Sequence, residues 1–318
     1  MTVDVAVIGS GPAGLAAALE LRKRGVERVA VFDRERTAGG VPRLCDHSPF
    51  GVSEFGRVMM GPSYAKRMVE TAIASGVSVN TLHSVVELGT SGRLRVATPE
   101  GILEVHATRV VIATGTRESS RAARFLSGDR PPRGCLTTGA LQSVLHERQT
   151  APFQRPLILG TEFVSLSAIW MCRTAGIRPV SIVEEGMEPA AGAVFRLLPW
   201  LYGIPLFCGS KIVEIYGKRQ VEAIAVRFRD GRVQQISCDG LLCTGRFVPE
   251  SGILHPAVAL DPETRRPVTD SFGRCSIDGY FAIGNVSHIA KTAGFCYREG
   301  RRVGKHIADD LKGLLPAR

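Results

Sequence analysis

Gly9-Ser10-Gly11-Pro12-Ala13-Gly14 sets three glycines at the spacing GxGxxG, which suits the diphosphate of a dinucleotide. Gly9 would make the tight turn, Gly11 would let a pyrophosphate reach the backbone, and Gly14 would let a helix pack closely on a strand. The start of that helix would carry about half a positive charge and unpaired N–H groups, and both attract a diphosphate. Asp33 could accept hydrogen bonds from the two hydroxyls of an adenosine ribose. An acid there would also repel a 2′-phosphate.

Positioning these groups requires a strand, a helix and a second strand. Residues 3–8 read VDVAVI, an apolar run fit for a buried parallel strand. A helical pattern with Leu15, Leu19 and Leu21 apolar stops at Gly25, and Val29-Ala30-Val31-Phe32 leads into Asp33. A strand before the glycines, a helix after them and an acid after the next strand form the context that the motif requires. Two later apolar strands end in small or polar residues. One runs Val110-Val111-Ile112-Ala113-Thr114-Gly115, the other Gly279-Tyr280-Phe281-Ala282-Ile283-Gly284-Asn285.

A second strand–helix–strand unit begins at Pro156-Leu157-Ile158-Leu159-Gly160. Leu166, Ala168, Ile169 and Met171 form the apolar set of its helix, Gly176 ends that helix, and Val180–Val183 leads to Glu184. Its fingerprint is broken. Gly160 keeps the first glycine, but Glu162 and Ser165 stand at the second and third positions. A carboxylate would then face a pyrophosphate, and two like charges about 4 Å apart repel by about 4 kcal/mol at an effective dielectric of about 20. Weak or absent binding of NAD(P)H is expected there.

Composition narrows the classes. The 318 residues suffice for about two domains. The charge of +10 comes without basic runs interleaved with aromatics, since only 6% of residues are aromatic, so no nucleic-acid partner is expected. No apolar run approaches the ~20 residues of a membrane span. The start, MTVDVAVIGSG, lacks the basic lead of a signal peptide, so a cytoplasmic protein is expected. No two of the eight cysteines sit at CxxC spacing, which removes the usual zinc signature and the dithiol of a disulfide reductase. No metal ligands are expected.

GxGxxG, the Ala-Thr-Gly at 113–115 and the late GYFAIGN at 279–285 together resemble the two-dinucleotide-binding flavoprotein family of thioredoxin and glutathione reductases. The resemblance implies an α/β fold: a Rossmann-like FAD-binding domain, residues 1–117 and 246–318, with a second Rossmann-like NAD(P)-type domain inserted at 118–245. Thr244-Gly245-Arg246 would be the return crossover, and residues 121–134 an exposed loop near the junction. FAD is the implied cofactor. The implied binding set is Gly9, Gly11, Pro12, Ala13, Gly14, Asp33, Arg34, Gly40, Val85, Ala113, Thr114, Gly115, Gly284, Asn285, Thr292 and Ala293. Asn285 replaces the family's acid and would bond a ribityl hydroxyl. The helix starting near Thr292 would point its N-terminus at the flavin.

Further segments narrow the branch. These are Gly39–His47, Gly61–Ala65, 113–142, Gly160–Ser165 and 292–304. Together they resemble the FAD/NAD(P)-fold subunit of heteromeric amine, opine and proline dehydrogenases. That branch implies a D-amino-acid-oxidase-type partner subunit that oxidises a C–N bond. Relatives often carry a cysteine-rich iron–sulfur extension, whereas the cysteines here are scattered, so electrons are expected to leave through a separate small electron carrier or the partner's own cofactors. His47, Tyr64, His288 and Lys291 would lie near the flavin in packing roles, and Cys45 is read as inert. No catalytic residue is named, because the flavin itself carries the redox chemistry. Two rival readings remain. One is a stand-alone NAD(P)H-dependent flavin reductase. The other is a nucleotide-binding scaffold without turnover.

Overall fold

In the computed structural model, residues 1–316 other than 149, 255 and 257 are described. The chain divides into two compact units, Met1–Arg117 with Val248–Arg318, and Glu118–Phe247.

The first unit is built on strand β1 (Thr2–Ile8), helix α1 (Pro12–Lys23) and strand β2 (Val29–Asp33). β1 lies at the centre of a mixed sheet. β2 runs parallel to it on one side and Gly101–Ile112 parallel on the other. Ser78–Thr81 extends the β2 edge, and Tyr280–Ala282 pairs in parallel with Gly101–Ile112. An antiparallel pair, Ser84–Leu88 and Arg93–Thr98, completes the other side. Strand residues alternate between faces. Val5 and Val7 therefore join the core under the helices, while Ala6 and Ile8 join the core on the opposite face.

α1 is buried almost all round from Ala13 to Ala18. The reason is the C-terminal helix Ala293–Leu311, which meets it through Gly300 and Gly304. A side chain on Gly300 would run into the Ala13 carbonyl, and one on Gly304 would lie 2.9 Å from the Ala17 carbonyl oxygen. Glu20 sits buried at this seam. Burial works against its charge, but hydrogen bonds from Arg24 and Arg301 prevail and lower its pKa.

The second unit repeats the plan. Its parallel sheet has the spatial order Leu206–Cys208, Ser181–Glu184, Pro156–Leu159, Gly240–Cys243, Cys135–Thr137. Helix Phe163–Thr174 follows the strand Pro156–Leu159. A three-stranded antiparallel sheet, Lys211–Tyr216, Ala223–Arg227 and Val233–Ser237, completes it. Residues 121–134 are not uniformly exposed as read from sequence. Arg124 is buried and donates to the carbonyls of Ser119 (3.0 Å), Thr244 (2.7 Å) and Gly245 (2.8 Å). A guanidinium offers enough donors to satisfy a whole turn of backbone carbonyls, which is why it can be buried there.

Candidate dinucleotide site

Gly9 closes the turn after β1 with φ +108, and its N–H donates to the Phe32 carbonyl at 2.8 Å. A side chain at Gly9 would collide with the Ala113 carbonyl, and one at Gly14 would collide with the Gly9 carbonyl. These two glycines are therefore required by the packing itself. Gly11 differs. It is the N-cap of α1, in extended backbone, and a methyl group on it would touch nothing within 4 Å. Pro12 takes the first helical position, where its missing N–H costs nothing.

The neighbouring segments converge on this turn. Gly40 (φ +64) approaches Gly11 so closely that a side chain there would lie 2.7 Å from the Gly11 Cα. Ala113 donates its N–H to the Ile8 carbonyl at 2.9 Å. Thr114 donates its hydroxyl to the Glu250 carbonyl at 2.8 Å, and Gly115 accepts the Glu250 N–H at 2.9 Å. Gly284 (φ +75) packs over Ala13, where a side chain would come within 2.8 Å of the Ala13 Cβ. Val85 is half-buried against the core cluster that contains Ile8 and Phe32. Arg34 is largely exposed, 3.6 Å from Glu35 and 3.8 Å from Glu250.

Asp33 ends β2 and is buried, but its carboxylate is already engaged. Oδ2 accepts the Ser10 N–H at 2.8 Å and the Ser10 hydroxyl, and Oδ1 accepts the Glu35 N–H at 2.9 Å. An ionised carboxylate offers about four lone-pair sites, so room for a ribose hydroxyl remains. Ser10 also accepts the Gly39 N–H at 2.9 Å. It thus ties the glycine turn to both Asp33 and the Gly39–Gly40 loop. The motif treats Ser10 as a variable position, so nothing in the spacing marks it.

The loop after Gly284 is closed by Asn285. Its Oδ1 accepts the Lys291 N–H at 2.9 Å and its Nδ2 donates to the Lys291 carbonyl at 3.2 Å. The amide expected to face a ribityl chain also holds its own loop, with one N–H left over. Thr292 caps the C-terminal helix, its hydroxyl accepting the Phe295 N–H at 3.3 Å, and Ala293 is the first helical residue. Beneath lies Glu299, buried, which the sequence reading missed. It accepts the Gly284 N–H at 2.6 Å and pairs with His288 Nε2 at 2.8 Å. Ser287 nearby is buried, and among the described residues its hydroxyl has no hydrogen-bond partner.

Tyr64 is fully buried and donates to Glu54 at 3.0 Å. Burial raises its phenol pKa far above the usual range, with the Glu54 charge adding to the shift. The His47 and Phe50 rings lie 5.4 Å apart at a tilt of 35°, and the Lys291 ammonium lies 5.7 Å from the centre of the Phe295 ring. Among the described residues no cluster could hold a metal ion, and none of the cysteines is joined in a disulfide.

These features fit a dinucleotide. Open space over Gly11 leaves backbone approach free, the N-cap of a twelve-residue helix has no side-chain acceptor of its own, and the Ser287 hydroxyl is an orphan beside the Gly284 turn.

A family model described as pyridine nucleotide-disulphide oxidoreductase matches residues 3–300. The chain is 29% identical over 263 residues to the alpha subunit of sarcosine oxidase from Rhizobium meliloti (strain 1021), covering 80% of this chain and 25% of that protein. It is 27% identical over 323 residues to one subunit of opine oxidase from Agrobacterium tumefaciens (strain Ach5), covering 90% of this chain and 62% of that one. The chain thus spans less than two thirds of either relative. Among solved structures, T. acidophilum thioredoxin reductase superposes with a TM-score of 0.81 at 22% identity, covering 97% of this chain and 98% of that chain. L-proline dehydrogenase from P. horikoshii superposes at 0.73 and 19% identity, covering all of this chain and 57% of that one. At these identities the superpositions show the fold.

Proposed function

Because the chain belongs to the pyridine nucleotide-disulphide oxidoreductase family, we propose that it is an FAD-dependent oxidoreductase serving as one subunit of a heteromeric dehydrogenase. FAD would bind the first unit, and the oxidised substrate would be an amine, an opine or an imino or amino acid. The observation that carries this reading is the contrast between the two glycine turns. The first is open over Gly11, while the second is filled by Glu162. Similarity to proteins named as oxidase subunits supports assembly with a partner subunit; in this reading that partner is of the D-amino-acid-oxidase type, and electrons leave through a separate small carrier or the partner's own cofactors. Eight cysteines without a disulfide suit a reducing, cytoplasmic setting.

Within this reading, the residues of the chain bind and orient. The N–H groups at the start of α1 would face the pyrophosphate. Asp33, steadied by Ser10, would take an adenosine ribose hydroxyl. Glu299 holds the Gly284 N–H and so sets the turn that would line the ribityl chain. The Thr292-capped helix brings a positive dipole end to the same region. FAD, when bound, supplies reversible two-electron chemistry. The absence of CxxC spacing argues against electron transfer to a disulfide within the chain.

The test is to purify the chain alone and with its co-purifying partner, then record visible spectra and identify the acid-released nucleotide. A yellow protein releasing FAD is expected, with dye reduction by amine or imino-acid donors only in the complex. Colourless protein that refuses added FAD would overturn the reading. Fast NADH turnover by the isolated chain would favour a stand-alone flavin reductase instead.

A further inference from the structure

The second unit carries its own carboxylate at the place where a dinucleotide phosphate would lie. Strand Pro156–Leu159 runs into Gly160 (φ +110), and helix Phe163–Thr174 starts after Glu162. This is the construction seen at Gly9 and α1. Under one constant shift in numbering, Gly160 falls on Gly9, Thr161 on Ser10, Glu162 on Gly11, Ser165 on Gly14 and Glu184 on Asp33. The supporting hydrogen bond repeats as well. The Thr161 hydroxyl donates to Glu184 as the Ser10 hydroxyl does to Asp33.

Only the contents of the turn differ. The Glu162 side chain does not cap its own helix. It folds over the facing turn, where Oε1 accepts the Arg246 N–H at 3.1 Å and Oε2 lies 3.5 Å from the Thr244 hydroxyl. A side chain on Gly245 would collide with this carboxylate, and one on Gly160 would come within 2.7 Å of Oε2. The Ser165 hydroxyl meets the Thr244 hydroxyl at 2.6 Å, filling the close approach that a third glycine would leave empty.

We propose that Glu162 is the resident occupant of the phosphate position in the second unit, and that its removal converts Glu118–Phe247 into a site for a nicotinamide adenine dinucleotide. The site then prefers NAD(H) to NADP(H), since Glu184 ends the second strand, Glu185 follows it, and both oppose a 2′-phosphate. Arg246 does not offset them freely, because its guanidinium is paired with Glu185 at 2.6 Å. The steric and charge blocks act together, and the repulsion alone is worth up to about a thousandfold in affinity.

The experiment is a fluorescence titration of the full chain with NADH and with NADPH, a readout that needs no flavin. The wild type should half-saturate only at millimolar NADH or above. E162G should gain at least about tenfold, and E162G/S165G should gain more, both favouring NADH over NADPH. E162Q is nearly isosteric and keeps an acceptor for the Arg246 N–H, so it tests the charge in a fold that is retained. It should bind between wild type and E162G. Micromolar binding of NADH by the wild type would overturn the proposal. So would E162Q and the glycine variants all binding no better than wild type while showing its near-UV circular dichroism.

Discussion

Gly11→Ala separates what the first glycine turn does for the fold from what it does for a ligand. Gly11 has φ −70 and ψ 177, ordinary backbone for any residue, and its added methyl would touch nothing. Alanine is a poorer N-cap than glycine, but it also restricts the unfolded chain, which returns about 0.4–1 kcal/mol. Net stability should therefore change by less than about 1 kcal/mol, a shift of at most a few degrees in Tm. The ligand cost is larger. The methyl stands where the pyrophosphate approaches, and losing even one charge-assisted hydrogen bond costs about 1.5–3 kcal/mol. That corresponds to about a ten- to hundredfold loss of FAD affinity. Thermal melts of the apoprotein and quenching of FAD fluorescence measure the two effects separately. If the variant binds FAD within about threefold of wild type, the pyrophosphate does not approach there. If its Tm falls by ten degrees or more, Gly11 serves the fold and the reasoning fails.

Other outcomes follow from the same geometry. Gly14→Ala, with its Cβ against the Gly9 carbonyl and 3.1 Å from Val7, should destabilise the first unit by at least about 2 kcal/mol in urea unfolding, the opposite of Gly11→Ala. Glu299→Ala should cost about 1–3 kcal/mol by orphaning the buried Gly284 N–H. Glu299→Gln, which keeps an acceptor, should recover part of that in the same denaturation curves. Burial pushes the thiols of Cys172, Cys243 and Cys296 up to about 12 from 9.0. Because their folded pKa values are raised, the stability they favour is complete below the unfolded value and is lost as pH climbs from about 9 toward 12. Iodoacetamide at pH 8 should leave these three unmodified until the protein unfolds; rapid labelling of the folded chain would contradict their burial.

Much of this architecture could be read from residue pattern. Gly9 and Gly14 are legible because backbone crowding permits nothing larger there, and apolar runs such as residues 3–8 announce buried strands. Glu162 was legible as an intruder because it breaks a spacing whose purpose is steric. Side-chain networks between distant segments were not. Glu299 is fifteen positions from Gly284 on a helix, and nothing in its neighbours says that it faces inward. Ser10 occupies a free position of the motif, yet it joins three segments. Asn285 is matched by its place after a glycine, but the motif does not show that its amide also closes the loop onto Lys291, a local hydrogen bond that short polar side chains make readily. Arg124 stands in a stretch rich in arginine and proline that looks solvent-borne, and the Ser119, Thr244 and Gly245 carbonyls give it a reason to be buried.

The first unit is written in two instalments, with the whole of Glu118–Phe247 between them. During synthesis, the ribosome therefore delivers β1, α1 and their sheet long before Tyr280–Ala282 and Ala293–Leu311 exist to cover them. The seam that awaits Gly300 and Gly304 stays bare meanwhile, an apolar surface of the kind that invites misassociation. The interrupting unit is contiguous and can complete itself first. Maturation should accordingly be inside-out, with the middle of the polypeptide gaining protease resistance before its beginning.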